Sequence, residues 1–143
     1  MKNVMKMLVI ISAFFIVGMQ SVNAQKSVLV TWYDNECDEC TISGGFWRVA
    51  VEVYDYCDGP PSQVYVQVQY LSESYEDATF QLTHFCDSQS QEACYFVVAS
   101  LEKYCPDGHG GYTLTCSGKN PGEWKSCPFL MGSGSFELQI SFQ

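Results

Sequence analysis

Apolar and polar residues alternate along most of the chain after residue 24, which is the pattern of β-strands with one buried face. In segment 63–70, for example, valine or tyrosine stands at each even position, and glutamine or tyrosine at each odd one. Helical periodicity is nearly absent. The alternation, or an unbroken apolar run, predicts seven strands, at 28–33, 47–54, 63–70, 79–84, 95–101, 112–116 and 136–142.

Clusters of turn-forming residues separate these segments. Examples are Asp58-Gly59-Pro60-Pro61 and Pro106-Asp107-Gly108, where glycine and proline favour a reversal of the chain. Seven antiparallel strands of this length are typical of a β-sandwich. A barrel is less favoured, because the lengths of the strands and loops are uneven. No repeat or linker divides the chain. We therefore predict an all-β protein with a single disulfide-stapled antiparallel β-sandwich of about seven strands over residues 25–143.

Residues 1–24 have the features of a secretory signal peptide. Lys2 and Lys6 precede an apolar run from Leu8 to Met19, and small residues surround Ala24. The alternative, a membrane anchor, is disfavoured because a spanning helix needs about 20 apolar residues. We therefore expect the mature protein to be secreted, periplasmic or at the cell surface, with no membrane span.

The chain is acidic, with a formal net charge of −9. Loss of Lys2 and Lys6 with the signal peptide would bring the charge to −11. A nucleic-acid binder needs a basic face that neutralises phosphates, and adhesion to anionic lipid needs clusters of Lys and Arg. The charge therefore argues against both classes of partner.

Eight cysteines remain after the predicted cleavage, an even number that indicates a disulfide framework in an exported chain. They are Cys37, Cys40, Cys57, Cys86, Cys94, Cys105, Cys116 and Cys127. Cys86 and Cys94 flank a polar loop between two predicted strands, so we predict a bridge between them. The other pairings stay open, because eight cysteines allow 105 connectivities.

Cys37 and Cys40 form a C-x-x-C motif, which also occurs in redox and zinc sites. The acidic neighbours Asp38 and Glu39 would raise the thiol pKa, whereas redox function requires it to be lowered. A zinc site requires a second C-x-x-C motif or a histidine pair, and the sequence has neither. Structural disulfide bonding is the preferred interpretation.

The sequence contains no constellation that indicates catalysis. It has no G-x-S-x-G motif, and its two histidines, His84 and His109, lie in different contexts. His84 continues an apolar strand face, and His109 stands in a glycine-rich turn. We therefore predict that the protein is not an enzyme.

Calcium is the one cofactor for which the sequence offers ligands. Carboxylates at Asp34, Glu36, Asp38, Asp55 and Asp58 are the oxygen donors that calcium prefers, although their spacing is not that of an EF-hand. The alternative is that an acidic exported protein simply solvates its loops with carboxylates. The sequence does not decide between these two explanations.

Three tyrosines, Tyr54, Tyr56 and Tyr65, stand on strand faces opposite the valines. Beside glutamines, they could form a flat contact surface for a glycan or a protein. They could equally cover the second face of a central strand.

These features lead to a primary hypothesis, a secreted non-enzymatic binding or adhesion module at the cell surface or in the extracellular space. Its partner would be a protein or glycan at the cell surface, or copies of itself. The first alternative is a subunit of an extracellular filament or coat, assembled by adding terminal strands 27–33 or 136–142 to a neighbouring sheet. The second is an acidic inhibitor of a basic protein.

Overall fold

A computed structural model describes residues 25–33 and 37–142 of the chain. The predicted signal peptide, residues 1–24, lies outside the described residues. The described ranges form nine strands and one short helix: β1 (Lys26–Thr31), β2 (Phe46–Asp55), β3 (Ser62–Ser72), β4 (Asp77–Leu82), β5 (Tyr95–Pro106), β6 (Tyr112–Lys119), β7 (Glu123–Lys125), α1 (Cys127–Leu130), β8 (Gly134–Gln139) and β9 (Ser141–Phe142). The predicted all-β class is confirmed.

The strands form two sheets. The small sheet has the order β4-β1-β8, and the large sheet has the order β3-β2-β5-β6-β9, with β7 added to the edge of β5. All pairs are antiparallel except β1 with β8, which run parallel. The prediction of a purely antiparallel fold is wrong at this pair. Parallel neighbours need a long crossover, and the chain between β1 and β8 supplies one by passing through the large sheet.

The last predicted strand, 136–142, divides at Ile140. Its first part is β8 in the small sheet, and its second part is β9 in the large sheet. The buried Ile140 donates its backbone N–H to the carbonyl oxygen of Thr31 at 2.8 Å. A strand that bends in this way can pass from one sheet to the other, which explains why one predicted segment became two strands.

Both sheets contribute to one hydrophobic core. Val28 and Val30 of β1 are fully buried, as are Trp47 of β2 and Leu101 of β5. Trp32, directly after β1, contacts Trp47 at a ring-centroid distance of 5.6 Å. The two tryptophans therefore join the small sheet to the large one.

The chain has three disulfides, Cys37–Cys116, Cys40–Cys105 and Cys57–Cys94. The predicted Cys86–Cys94 bridge is wrong, because Cys94 is bonded to Cys57. The reason is the pairing of β2 with β5, which sets Asp55 opposite Tyr95. Cys57 and Cys94 follow and precede these two residues, so they meet at the same end of the large sheet.

The two cysteines of the C-x-x-C motif bond to β6 and β5, not to each other. The Cys37–Cys116 and Cys40–Cys105 bridges are reinforced by Lys103 Nζ, which donates to the carbonyl oxygen of Asp38 at 3.1 Å. The motif is therefore structural, since it anchors a loop to one end of the large sheet.

The three disulfides indicate an oxidising, extracellular environment. In residues 25–33 and 37–142, no helix has the length and apolar character that crossing a membrane requires. Cys86 and Cys127 have free thiols, so six of the eight predicted bridge cysteines are bonded.

Candidate binding surface

The outer face of the large sheet carries aromatic side chains from four strands. The register sets Phe46 of β2 opposite Tyr104 of β5, and Tyr104 opposite Leu114 of β6. On the other side of β2, Tyr70 of β3 stands opposite Arg48. Residues that face each other across neighbouring strands point to the same side of a sheet. The aromatic groups therefore accumulate at one end of this face.

Phe46 is the centre of a cluster that we call the aromatic patch, formed by Phe46, Tyr70, Tyr104 and Tyr112. The Phe46 ring stacks on Tyr104 at 5.2 Å and meets the edges of Tyr112 at 5.0 Å and Tyr70 at 6.0 Å. Tyr70 and Tyr112 are 66% and 55% exposed. Rings that pack on each other while exposing this much surface form a firm, partly apolar contact area.

The patch exists because β3 turns Val66, Val68 and Tyr70 outward. Val66 is exposed, and Gln69 on the inner side donates from Nε2 to the backbone carbonyl of Thr79 in β4 at 2.7 Å. The Gln69 amide thus connects the two sheets. Tyr70, two residues after Val68, then falls on the outer face.

An ion pair fills the part of the face beside the patch. Arg48 lies 3.1 Å from the Glu102 carboxylate, to which the Tyr104 hydroxyl also donates at 2.7 Å. This hydrogen bond is the main reason why the pKa of Tyr104 is raised above its ordinary value. Contact with the Tyr70 hydroxyl, and then the charge of Glu102, raise the pKa of Arg48. The polar groups next to the rings therefore form hydrogen bonds and an ion pair with one another.

A second cluster, the Trp124 cluster, lies at the opposite end of the same face. Trp124 of β7 contacts Tyr56 and Phe96, each at a ring-centroid distance of 5.0 Å, and is 50% exposed. The turn before β7 requires Gly122, because its positive φ of 88° favours glycine and an added Cβ would collide with the Phe96 ring. This turn positions Trp124 against Phe96.

The structure separates the three tyrosines that the sequence grouped as a contact surface. Tyr54 lies on the outer face and donates to the Glu52 carboxylate at 3.0 Å, and Tyr56 belongs to the Trp124 cluster. Tyr65 instead points inward, where it donates to the carbonyl oxygen of Gln81 at 2.6 Å and packs on Phe85. Tyr65 is therefore a connection between the sheets, not part of the face.

Tyr65 leads to a prediction about alkaline pH. Burial raises its pKa above the ordinary value of 10.0, so its contribution to stability is complete below pH 10 and is lost as the pH rises through the folded-state pKa. We expect the free energy of unfolding, measured with urea, to fall above pH 10. Because Tyr95 has a raised pKa for the same reason, Tyr65→Phe should reduce the fall without removing it. An equally steep fall of the free energy of unfolding in this variant would show that ionisation of Tyr65 does not contribute to it.

The structure describes three of the five predicted calcium ligands, Asp38, Asp55 and Asp58, and it does not place these three together. Asp34 and Glu36 lie outside the described residues. Asp38 lies near Lys103, toward the end of β5, whereas Asp55 is opposite Tyr95 at its start. The Asp55 carboxylate accepts the backbone N–H of Cys57 at 2.7 Å.

The exposed Asp58 follows close behind Asp55 in the chain, at the end remote from Asp38. Among the described residues, no group of three or more histidine, cysteine, aspartate or glutamate side chains is arranged to hold a metal ion. The structure therefore does not bring Asp38 together with Asp55 and Asp58. Calcium binding near Asp34 and Glu36 stays a prediction.

The two histidines also lie apart. His84 adjoins Phe85, which packs on Tyr95 at the start of β5. His109 is exposed in the turn after the other end of that strand. They cannot act together in one catalytic site, and the expectation of a non-enzymatic protein stays a prediction.

The sequence did not reveal the residues of the aromatic patch. Alternation in segment 63–70 shows that the two faces of the strand differ without showing which one is buried, so it does not indicate that Tyr70 is exposed. The one available signal was an aromatic residue at or near the end of each of four strands, Phe46, Tyr70, Tyr104 and Tyr112. Comparison of the chain with protein-family models, curated proteins and solved structures finds no significant match.

Proposed function

We propose that this chain is an exported, non-enzymatic β-sandwich that binds a ligand on the outer face of its large sheet, at the cell surface or in the extracellular space. The observation that carries the proposal is the aromatic patch. Tyr70 and Tyr112 are more than half exposed while they contact the central Phe46. Exposed aromatic side chains held in place by their neighbours are typical of interaction sites.

The scaffold beneath the patch supports this function. Phe46, Tyr70, Tyr104 and Tyr112 stand on strands, and the Cys40–Cys105 bridge fixes the chain next to Tyr104. A site on rigid strands loses little conformational entropy when a ligand binds. The disulfides also suit an extracellular environment.

The test is capture of ligands from cell-surface material by the immobilised protein. Tyr70→Ala and Tyr112→Ala should each weaken binding by about tenfold, because an exposed aromatic contact typically contributes more than 1 kcal/mol. Tyr33→Ala is the matched control, since Tyr33 is 67% exposed and follows a strand of the small sheet. Biolayer interferometry with the captured fraction would measure all three variants.

Unchanged binding by both patch variants would contradict the proposed site. Equal losses in Tyr33→Ala and Tyr70→Ala would show that exposed tyrosines bind without specificity, and would contradict it as well. Urea unfolding of each variant provides the folding control. These side chains are exposed, so the free energy of unfolding should change by less than about 1 kcal/mol.

The position of β1 reduces the number of strands that could be donated in the filament alternative. This strand is the centre of the small sheet and pairs with both β4 and β8, so donating it to a neighbour would break two sets of hydrogen bonds. Of the two terminal strands, only β8 has a free edge in that sheet. Assembly through β8 and inhibition of a basic partner both stay predictions.

A further inference from the structure

A shallow cleft adjoins the aromatic patch on the outer face of β5 and β6. It has a volume of about 390 Å³ and is lined by Ser100, Leu101, Glu102, Leu114, Ser117, Gly118 and Lys119. Leu114 is opposite Tyr104, so the cleft begins where the patch ends. It combines one exposed apolar side chain with hydroxyl, carboxylate and ammonium groups that can make directed hydrogen bonds.

The outer face is electrically balanced, although the chain has a formal charge of −9. Arg48 of β2 and Lys119 of β6 offset Glu52 of β2 and Glu102 of β5. Arg48 pairs with Glu102 at 3.1 Å, and Glu52 accepts the hydroxyl of Tyr54 at 3.0 Å. A strongly charged ligand would find no complementary excess of charge here. The balance favours an uncharged ligand.

The ligand must also contact the aromatic rings of the patch and the hydrogen-bonding groups of the adjacent cleft at the same time. A pyranose ring has an apolar face of C–H groups, which packs on an aromatic ring, and a rim of hydroxyls, which bond to polar side chains. We propose that the ligand is an uncharged polysaccharide, which lies across the aromatic patch with its hydroxyls in the neighbouring cleft. This inference rests on the binding function proposed above.

The experiment compares capture from cell-surface material after two treatments. Periodate cleaves the vicinal diols of sugars, and protease digestion removes proteins. We expect capture by the wild-type protein to be abolished by periodate and to survive protease. The captured fraction should also retard the protein in affinity electrophoresis when it is cast in the gel, with Tyr33→Ala retarded and Tyr70→Ala not.

The outcomes separate the two proposals. Capture that is lost with protease and retained after periodate would overturn the polysaccharide while leaving the binding function intact. No capture from untreated material would overturn both. A concentration-dependent dimer that Tyr70→Ala abolishes would show instead that a second copy of the chain covers the face.

Salt provides an independent check of the ligand's charge. The affinity for an uncharged ligand should change by less than about twofold across a wide range of salt concentration, because few charges are screened and few counterions are released. Lys119→Gln should leave the salt dependence flat. A tenfold or greater loss of affinity at high salt would overturn the proposal that the ligand is uncharged.

A second inference comes from a different part of the molecule, the two free cysteines. Cys86 follows β4 and Cys127 begins α1, and Cys86 Sγ lies 3.9 Å from the carbonyl oxygen of Cys127. The Cys86 thiol also contacts the Cys127 side chain. The six other cysteines are bonded. We infer that Cys86 and Cys127 form a fourth disulfide when the exported protein meets a disulfide oxidant.

The oxidation balances as two thiol–disulfide exchanges. One thiolate attacks the oxidant's disulfide, forms a mixed disulfide and releases one thiol of the oxidant. The second thiolate attacks the mixed disulfide, forms the Cys86–Cys127 bond and releases the other thiol. Two S–H bonds are lost, and the two electrons reduce the oxidant. Burial, and then contact with Cys127, raise the pKa of the Cys86 thiol, so the bridge should form during folding, before the thiol is buried.

Peptide mapping of the secreted protein tests the fourth bridge. The protein is unfolded and alkylated without reductant, digested, and analysed by mass spectrometry. The expected product joins the peptides of Cys86 and Cys127 and separates after reduction. In Cys86→Ser, Cys127 should become the alkylated cysteine. Alkylation of both cysteines in the wild-type protein, or a bridge from either one to another cysteine, would overturn the inference.

Discussion

Reduction of the disulfides should unfold this protein at room temperature. The bridges join residues 79, 65 and 37 positions apart, and loops of this length correspond to about 4 kcal/mol of stabilisation each in the chain-entropy model. The whole stability of a domain is typically about 5–15 kcal/mol. Although nested loops do not contribute additively, their combined loss should exceed the stability that the core alone supplies.

The measurement is urea unfolding followed by circular dichroism, with and without a phosphine reductant. Cys57→Ala combined with Cys94→Ala isolates the shortest loop, and should lower the free energy of unfolding by about 4 kcal/mol. Incubation with the oxidised form of the reductant is the control for non-specific effects. A cooperative transition in the reduced protein, within 2 kcal/mol of the oxidised one, would show that the hydrophobic core suffices alone.

Trp47→Ala should lower the free energy of unfolding by about 4 kcal/mol, within the range measured for buried aromatic residues. Trp47 has no exposed surface. Its ring contacts Trp32 at 5.6 Å and lies 5.0 Å from the ammonium of Lys103, while its Nε1 donates to the carbonyl oxygen of Glu73 at 3.2 Å. The substitution would leave a cavity between the sheets and an unpaired carbonyl.

Trp124→Ala is the matched control for Trp47→Ala, because it removes the same side chain from an exposed position. Trp124 is 50% exposed on the outer face, so its loss should cost less than about 1 kcal/mol. Urea unfolding of the two variants at one pH gives the comparison directly. Similar losses for both would contradict the assignment of Trp47 to the connection between the sheets.

The strand segments could be predicted from the sequence, because the alternation of apolar and polar residues is a local property. The predicted segments 28–33, 47–54 and 95–101 overlap β1, β2 and β5. β7 was missed because it contains three residues, too few for alternation to appear, and the two residues of β9 were predicted as the end of one longer strand. They form because β5 and β6 offer unpaired edges to the chain that passes them.

The proposed binding face could not be predicted from the sequence, since both faces of the large sheet carry apolar residues. In β3, the inward positions hold Gln69 and Tyr65, which hydrogen-bond to the backbone of β4. The outward positions hold Val66 and Tyr70. A rule that places apolar side chains inside therefore gives the wrong orientation for residues 65–70 of this strand.

By itself, the sequence determined the all-β class, the main strands and the use of cysteine as a structural residue. These properties depend on the period of side chains along a strand and on residue types. The tertiary structure decided which cysteines meet, which face of β3 is exposed, and that the chain changes sheets at Ile140. Each of these depends on which strands become neighbours, and that follows from the packing of two sheets around Trp32 and Trp47.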